Sequence, residues 1–389
     1  MASIKLKGDT SGEVTIQAPA VAGTTTLNLP ATSSTLATQN ALGVRNLIIN
    51  GDMRIDQRNA GASVTPTSEV TLDRWYAREN TDGAYTVQQV TDAPVGATNS
   101  LKLTVTTADA SIASSQFSYI QQRIEGNNTA HLDWGTSDAK TVTLSFWVKS
   151  SLTGSFPVTL QNSAANRSYI TTYTISSANT WEYKTVTIAG DTTGTWLTDN
   201  GIGIRVIFGI GTGSDRQGTA DTWNAADAWE TSSTVQILNT LNATWQISLV
   251  QLEVGDTATP FEHRPYDMEL ARCQRYYSTS IELGYTITDF PAFGAGRPGA
   301  TFFCSVASGN DLFGNLQLPV AMRTAPTFNI YSAAHRTSGH VRDGATGANV
   351  SVANYSFSTG NNKSIVYMSG LSGTVSRPYN FHWTANAEL

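Results

Sequence analysis

The chain has 389 residues, and only 14% of them are charged, against roughly a quarter in an average soluble protein. A net charge of −6 speaks against the basic face of a general nucleic-acid binder, and no stretch of about 18 or more apolar residues is present to cross a membrane as a helix. The two cysteines, Cys273 and Cys304, cannot build a disulfide framework. The length suits two or three units, and the opening MASIKLKGDT lacks the apolar core of a secretory leader, so synthesis in a reducing cytoplasm is expected.

Residues 1–43 contain three short apolar pairs, Ile4 and Leu6, Val14 and Ile16, and Leu27 and Leu29, separated by GDTSG and PAVAGTTT. Each reads as a brief strand with one apolar side. A segment of about 40 residues with so few large apolar groups cannot bury a core alone. It is expected to pair with copies of itself or to dock on another protein.

Residues 44–264 read as one large β-sandwich. Val142, Leu144, Phe146 and Val148 alternate with more polar neighbours, as do Ile202, Ile204, Val206, Phe208 and Ile210, and Leu101, Leu103 and Val105. Period-two patterning places one face on a core and the other in water. In TWQISLVQLEV the apolar parity slips by one residue, from Trp245, Ile247 and Leu249 to Val250, Leu252 and Val254. A β-bulge produces such a slip, and burial of both faces would look similar. Eight of the nine tryptophans lie between Trp75 and Trp245, enough to fill a wide core.

The pattern then changes. Over 265–277, Tyr266, Leu270, Cys273 and Tyr277 are spaced by four, three and four residues, a helical stripe like a short coiled-coil seam. Pro265 and Asp267 stand where helix starts favour proline and an acid. So short a helix is marginal alone in water and must pack on something. Residues 278–389 return to alternation in Phe302, Cys304 and Val306, in Leu316, Leu318 and Val320, and in Tyr379, Phe381 and Trp383. They read as a second, smaller β-sandwich with glycine-rich loops, six basic residues against five acidic ones. The fold class expected is therefore all-β, with one junction helix.

No catalytic, cofactor or metal motif stands out. GAGRPGAT at 294–301 has the glycine spacing of a phosphate loop, but Ala300 occupies the lysine position, so it is read as a plain loop. His335 and His340 share a loop segment without a third ligand type, and are read as exposed polar residues rather than a metal site. Asp215, Asp221, Asp227 and Glu230 cluster around Trp223 and Trp229. They read as a polar loop pinned by the two indoles more than as an acid pair for glycoside cleavage, although exposed indoles could also stack on sugar rings.

Five stretches together resemble a known family. RNLIINGDMRIDQRNAG followed by TLDRWY (45–76) is similar to the opening of a domain common in bacteriophage tail-fibre proteins, and VQLEVGDTATPFEHRPYDMELARCQRYY (250–277) to its close and trailing helix. LPVAMRTAPTFNIYS (318–332) and FHWTANAEL (381–389) resemble the head that follows, and residues 3–38 the virion-proximal segment of phage appendages. The resemblance implies a homotrimeric, non-enzymatic receptor-binding fibre: virion attachment at 1–43, a carbohydrate-binding-module-like jelly roll at 44–264, a junction helix at 265–277 and a receptor-binding head at 278–389. It implies a host surface glycan or lipopolysaccharide and a tail protein as partners, and no cofactor. On this reading Tyr285, Phe290, Phe293, Arg297, His335 and His340 are the candidate receptor contacts in the head, and Tyr266, Leu270, Cys273 and Tyr277 the candidate trimer junction. A polysaccharide depolymerase and a purely structural virion adaptor are the rival readings.

Overall fold

A computed structural model of the chain describes residues 3–7, 13–17, 45–290, 300–303, 312–360, 363–369 and 377–389. It divides into two compact units, 1–43 and 44–389. In the first, Ser3–Lys7 and Glu13–Gln17 pair antiparallel, with Ile4 opposite Ile16 and Leu6 opposite Val14. The alternating apolar residues are thus cross-strand partners, and Lys5 and Lys7 are exposed. The third expected pair, Leu27 and Leu29, lies outside the described residues. A lone two-stranded hairpin is marginally stable in water.

The second unit begins with a sandwich of two antiparallel sheets. The larger runs, edge to edge, Thr222–Asn224, Ser168–Ile175, Gly154–Gln161, Ile202–Thr212, Phe117–Glu125, Trp75–Asn80 and Ser68–Leu72. The smaller runs Glu182–Ile188, Val142–Ser150, Thr244–Val254, Ser100–Thr107 and Ala84–Val90. The expected alternation holds: Val142, Leu144, Phe146 and Val148 meet Ile204, Val206, Phe208 and Ile210 in one core. Phe208 is its aromatic hub, with ring centroids 5.3 Å from Phe146, 5.5 Å from Trp245 and 6.4 Å from Trp75.

The parity slip in Thr244–Val254 is a bulge. Pairing with Val142–Ser150 shifts register between Ser248 and Gln251, and Leu249 takes a left-handed φ of 52°. Segment 45–51 lines this strand: Leu47 donates to the Leu252 carbonyl and Val250 to the Gly51 carbonyl, both at 2.9 Å. Residue 51 must be glycine here, because a Cβ would stand 2.2 Å from the Val250 carbonyl oxygen.

The helix spans Tyr266–Gln274, and its seam corrects an expectation. Leu270 and Cys273 pack on Ile49, Ile55, Tyr276 and Leu389 of the same chain, which buries Cys273 fully without a second copy. Tyr277 lies past the helix, on the short strand Tyr277–Thr279, buried under the Arg58 guanidinium at 3.7 Å. Tyr266 alone of the four is exposed. The reason is polar as much as apolar. Glu269, on the same inward face, is buried and accepts from the Asn50 N–H and from Arg264. Arg264, also buried, donates to the main-chain oxygens of Ile48 and Asn46.

Among the described residues the head has two sheets. Pro378–Asn386 is the spine of the larger, pairing with Tyr277–Thr279, Ala300–Phe303, Thr327–Ser332 and His340–Asp343, while Asn349–Ser351 extends its edge. Leu312–Leu316, Lys363–Ser369 and Asn354–Gly360 form the smaller. Phe328, Ile330, Val341, Tyr379, Phe381 and Trp383 share a core with Leu316 and Met368 of the second sheet. The alternation expected through Leu318 and Val320 stops early: the strand ends at Leu316, and Leu318 packs on the core from a non-strand segment. Phe302 lies on Ala300–Phe303, and Cys304 and Val306 fall outside the described residues.

Sandwich and head meet at an arginine-rich waist. The Glu388 carboxylate accepts from Arg74 and, at 3.3 Å, from Arg58, and Arg123 donates to the Leu389 main-chain oxygen. Arg275 forks onto Glu125 at 2.6 and 3.0 Å, and the Tyr276 hydroxyl adds a third bond at 2.7 Å. Burial pushes the Glu125 carboxyl up, but the bonds from Arg275, Tyr276 and Asn127 outweigh it and hold the group below its ordinary range. Arg323 joins the Ala387 and Glu388 carbonyls to that of Asn200.

Two outcomes are expected from this joint. Glu269→Ala leaves the buried Arg264 charge with Glu262 as its remaining acid partner and takes the acceptor from the Asn50 N–H, and should cost about 2–4 kcal/mol in chemical denaturation, whereas Met268→Ala, on the exposed face, should cost less than about 0.5 kcal/mol. Asp73 is fully buried, held by the Gln57 N–H and side-chain amide at 2.7 and 2.6 Å. Burial, only partly offset by Arg58 and Gln57, pushes it up to about 7. The fold therefore binds a proton that the unfolded chain releases near pH 4. That stabilisation is complete below about pH 4 and is lost as pH rises through 7. Asp73→Asn should flatten the decline in unfolding free energy between pH 5 and 8, and an unchanged slope would refute the assignment.

Candidate functional site

The strands of the seven-stranded sheet bury one set of side chains and present the other outward. On Phe117–Glu125, Ile120 and Ile124 enter the core, which turns Phe117, Tyr119, Gln121 and Arg123 to the outer face. The same parity turns out Tyr76 and Arg78 on Trp75–Asn80, Arg205 and Ile207 on Ile202–Thr212, and Thr159 and Gln161 on Gly154–Gln161. Register aligns them in rows: Gln161, Arg205 and Arg123 across three strands, then Thr159, Ile207, Gln121 and Tyr76 across four, with Tyr119 opposite Arg78.

The segment after Thr212 folds back over one side of this face. Trp229 is buried there, edge-on to Phe117 at 5.2 Å and Tyr119 at 5.3 Å. Its indole N–H donates to the Thr212 hydroxyl at 2.9 Å, and its carbonyl accepts from Thr159 at 3.0 Å. Glu230 lies fully buried over Gly209. Burial pushes its carboxyl up to about 7 despite bonds from Thr212, Gln236 and Thr234.

What remains open is a surface of rings and guanidiniums. Arg123 lies 4.2 Å over Tyr76, Arg78 lies 5.2 Å over Phe117, and Arg216 lies 5.6 Å from both Phe117 and Trp229. Tyr76, Phe117 and all four of Arg78, Arg123, Arg205 and Arg216 are half-buried. Arg205 donates to the Gln161 side chain at 3.2 Å and to the Ser163 carbonyl at 2.9 Å. Asp227 takes Arg216 and accepts from Gln161 at 3.0 Å. Such a face offers flat apolar rings and many fixed donors.

Two further hollows lie on the sandwich. One, of about 380 Å³, is lined by Trp147, Tyr183, Leu249, Pro260 and Phe261 on the opposite sheet, with Tyr183 45% exposed. The other, about 150 Å³, lies beside Trp134 and Trp196. Trp223 belongs to that aromatic knot, 5.4 Å from each of those indoles and 5.3 Å from Tyr169. Trp223 and Trp229 therefore pin the 213–231 segment, as the structural reading expects. The four acids of that segment do not act alike: Asp227 is paired with Arg216 and Glu230 is sealed in.

The head candidates are not gathered into one described site. Phe290 is 1% exposed, 4.3 Å from the His382 ring, and its carbonyl accepts from Arg336; it is a buried anchor and not a surface contact, because its ring is closed off from solvent beside His382. Tyr285 is half-buried in a turn. His335 is exposed, 3.4 Å from the Ser332 hydroxyl. His340 opens the strand His340–Asp343, with Nδ1 2.7 Å from the Ser338 carbonyl oxygen. Phe293 and Arg297 lie outside the described residues. Among the described residues no group of three or more His, Cys, Asp or Glu side chains could hold a metal ion, and no helix is long and apolar enough to cross a membrane. The outer face went unread in the sequence because its members occupy the polar half of each alternation. The usable signal was that this half holds aromatics and arginines, as in FSYIQQRIE.

No protein-family description matches the chain, and no curated protein matches it in sequence. Solved structures similar to it include the enzymatically active domain of bacteriophage CBA120 tailspike protein 4, at 14% identity and a TM-score of 0.32, covering 54% of this chain and 21% of that one. A putative sugar binding protein from Bacteroides thetaiotaomicron matches at 14% identity and a TM-score of 0.32, over 54% of this chain and 100% of that one. The family 11 carbohydrate-binding module from Clostridium thermocellum, in complex with a β-1,3-1,4-mixed-linked tetrasaccharide, matches at 12% identity and a TM-score of 0.26, over 52% of this chain and 98% of that one. The chain thus spans about a fifth of the tailspike domain it resembles.

Proposed function

We propose that this chain is a non-catalytic, glycan-binding appendage of a phage particle. Residues 1–43 fasten it to a tail protein, and the sandwich, locked to the head, meets a host surface glycan or lipopolysaccharide. The observation that carries the glycan reading is the outer face of the seven-stranded sheet, where the half-buried rings of Tyr76 and Phe117 lie among fixed hydrogen-bond donors. Flat rings suit the apolar side of a sugar ring, and the donors suit its oxygens. The sandwich, more than the head loops, then holds the main contact. The virion role rests on the five sequence stretches that resemble tail-fibre proteins. The non-catalytic role rests on the acids nearest the face, of which Asp227 is paired and Glu230 enclosed.

Three copies acting together would turn weak sugar contacts into durable adhesion. Because the helix seam is used within the chain, the assembling element on this reading is the N-terminal unit, whose two-stranded hairpin gains most from neighbours.

Tyr76→Ala and Phe117→Ala should each weaken binding on a glycan array by about tenfold, or ~1.4 kcal/mol, and reduce competition with phage for host cells. Absence of any array hit together with failure to compete would favour a structural adaptor. Shortened chains after incubation with host capsule would favour a depolymerase. Light scattering should give the mass of three copies for the full chain and of one copy after removal of 1–43, whereas a monomeric full chain refutes the assembly.

A further inference from the structure

The open face carries more cationic charge than the fold can use. Several arginines elsewhere on the chain are matched to acids, Arg167 to Asp191, Arg264 to Glu269, Arg275 to Glu125 and Arg377 to Asp343, while Arg323 and Arg336 are met by main-chain carbonyls. On the face only Arg216 has such a partner, Asp227. Among the described residues Arg78, Arg123 and Arg205 form no ion pair with an Asp or Glu side chain. Arg205 and Arg123 are direct cross-strand partners, an arrangement in which like charges repel. Burial, then the neighbouring Arg123 charge, hold the Arg205 guanidinium below its ordinary range. A protein of net charge −6 has thus set three cations without an Asp or Glu side-chain partner on one sheet surface, one of which, Arg123, also reaches the Leu389 main-chain oxygen.

Their surroundings fix them without neutralising them. Tyr76 lies under Arg123 and Phe117 under Arg78, and a ring beneath a guanidinium holds it without taking up its N–H groups; Arg123 spends one donor on the Leu389 main-chain oxygen. Arginine only donates hydrogen bonds. The surface therefore suits a ligand rich in acceptors and in negative charge, and a planar fork matches carboxylate or phosphate oxygens two at a time.

We propose that the glycan bound by this face is acidic, bearing carboxylate or phosphate groups that Arg78, Arg123 and Arg205 take up while its sugar rings rest on Tyr76 and Phe117. This rests on the glycan-binding reading above and adds the charge of the ligand to it. The sandwich would then select among surface polysaccharides by electrostatics, with attraction that weakens as salt shortens its range.

The test uses the full chain in affinity electrophoresis and interferometry. Three acidic polymers, polygalacturonate, hyaluronate and a phosphorylated mannan, are compared with neutral dextran and mixed-linkage β-glucan, and with duplex DNA. At least one acidic polysaccharide should bind about tenfold or more tighter than either neutral one, and Arg205→Gln should weaken it by about tenfold. Raising sodium chloride from about 50 to 300 mM should weaken it further, while Lys102→Gln on the opposite sheet leaves it unchanged. Thermal melting checks that the variants fold; if Arg205→Gln does not, Arg78→Gln beside the sheet edge carries the same expectation. A neutral polymer as the tightest ligand overturns the acidic assignment while the glycan reading stands. DNA binding tighter than any polysaccharide overturns it too, as does a folded arginine variant with full affinity. Retention on none of the polysaccharides defeats both readings together.

Discussion

Arg264 and Glu269 are both withdrawn from water at the waist of the molecule, and the remainder of the second unit is arranged around satisfying them. A buried ion pair stabilises a fold only when its spare donors and acceptors are met. Here Arg264 reaches the Asn46 and Ile48 carbonyls, and Glu269 receives the Asn50 N–H. Those partners lie more than 200 residues upstream, so helix and opening segment must come together before either is stable. With them come Gly51 against the bulged strand and Ile49 and Ile55 over Leu270 and Cys273.

The sequence stretches that resemble tail-fibre proteins acquire a physical meaning from this. Residues 45–61 and 71–76 contribute Asn46, Asn50, Gln57, Arg58, Asp73 and Arg74, and residues 250–277 contribute Glu262, Arg264, Glu269, Arg275 and Tyr276. These are buried and half-buried polar groups of the waist. FHWTANAEL supplies Glu388, which accepts from both Arg58 and Arg74. The recognisable residues therefore build a joint. The open face of the seven-stranded sheet lies mostly outside them, with Tyr76 as the point where the two touch.

Much of the fold was legible because a half-buried strand must alternate. Val142 to Val148 and Ile204 to Ile210 could be placed on the core side from their spacing alone, and the slip at Leu249 left a bulge and burial of both faces open, of which the strand has both. The helix was legible too, but its cover was not. A stripe at helical spacing says that something packs on Leu270 and Cys273, and nothing in the local sequence distinguishes a second copy from a distant part of the same chain. Phe290 misled for a related reason: an aromatic between glycine-rich segments reads equally as a contact or an anchor. The outer face of the seven-stranded sheet was hidden because alternation directs the eye to the apolar half, while Arg78, Arg123 and Arg205 occupy the other.

The arginines that meet Glu388, Leu389 and Glu125 have a mechanical consequence. Guanidinium forks engage both partners at several points, and rings of Tyr276 and Tyr277 lie under Arg74 and Arg58. A pull on the head is shared among many short bonds loaded together, so no single hinge takes the strain. The sandwich therefore follows the head as one body, and its open sheet keeps a fixed bearing relative to it.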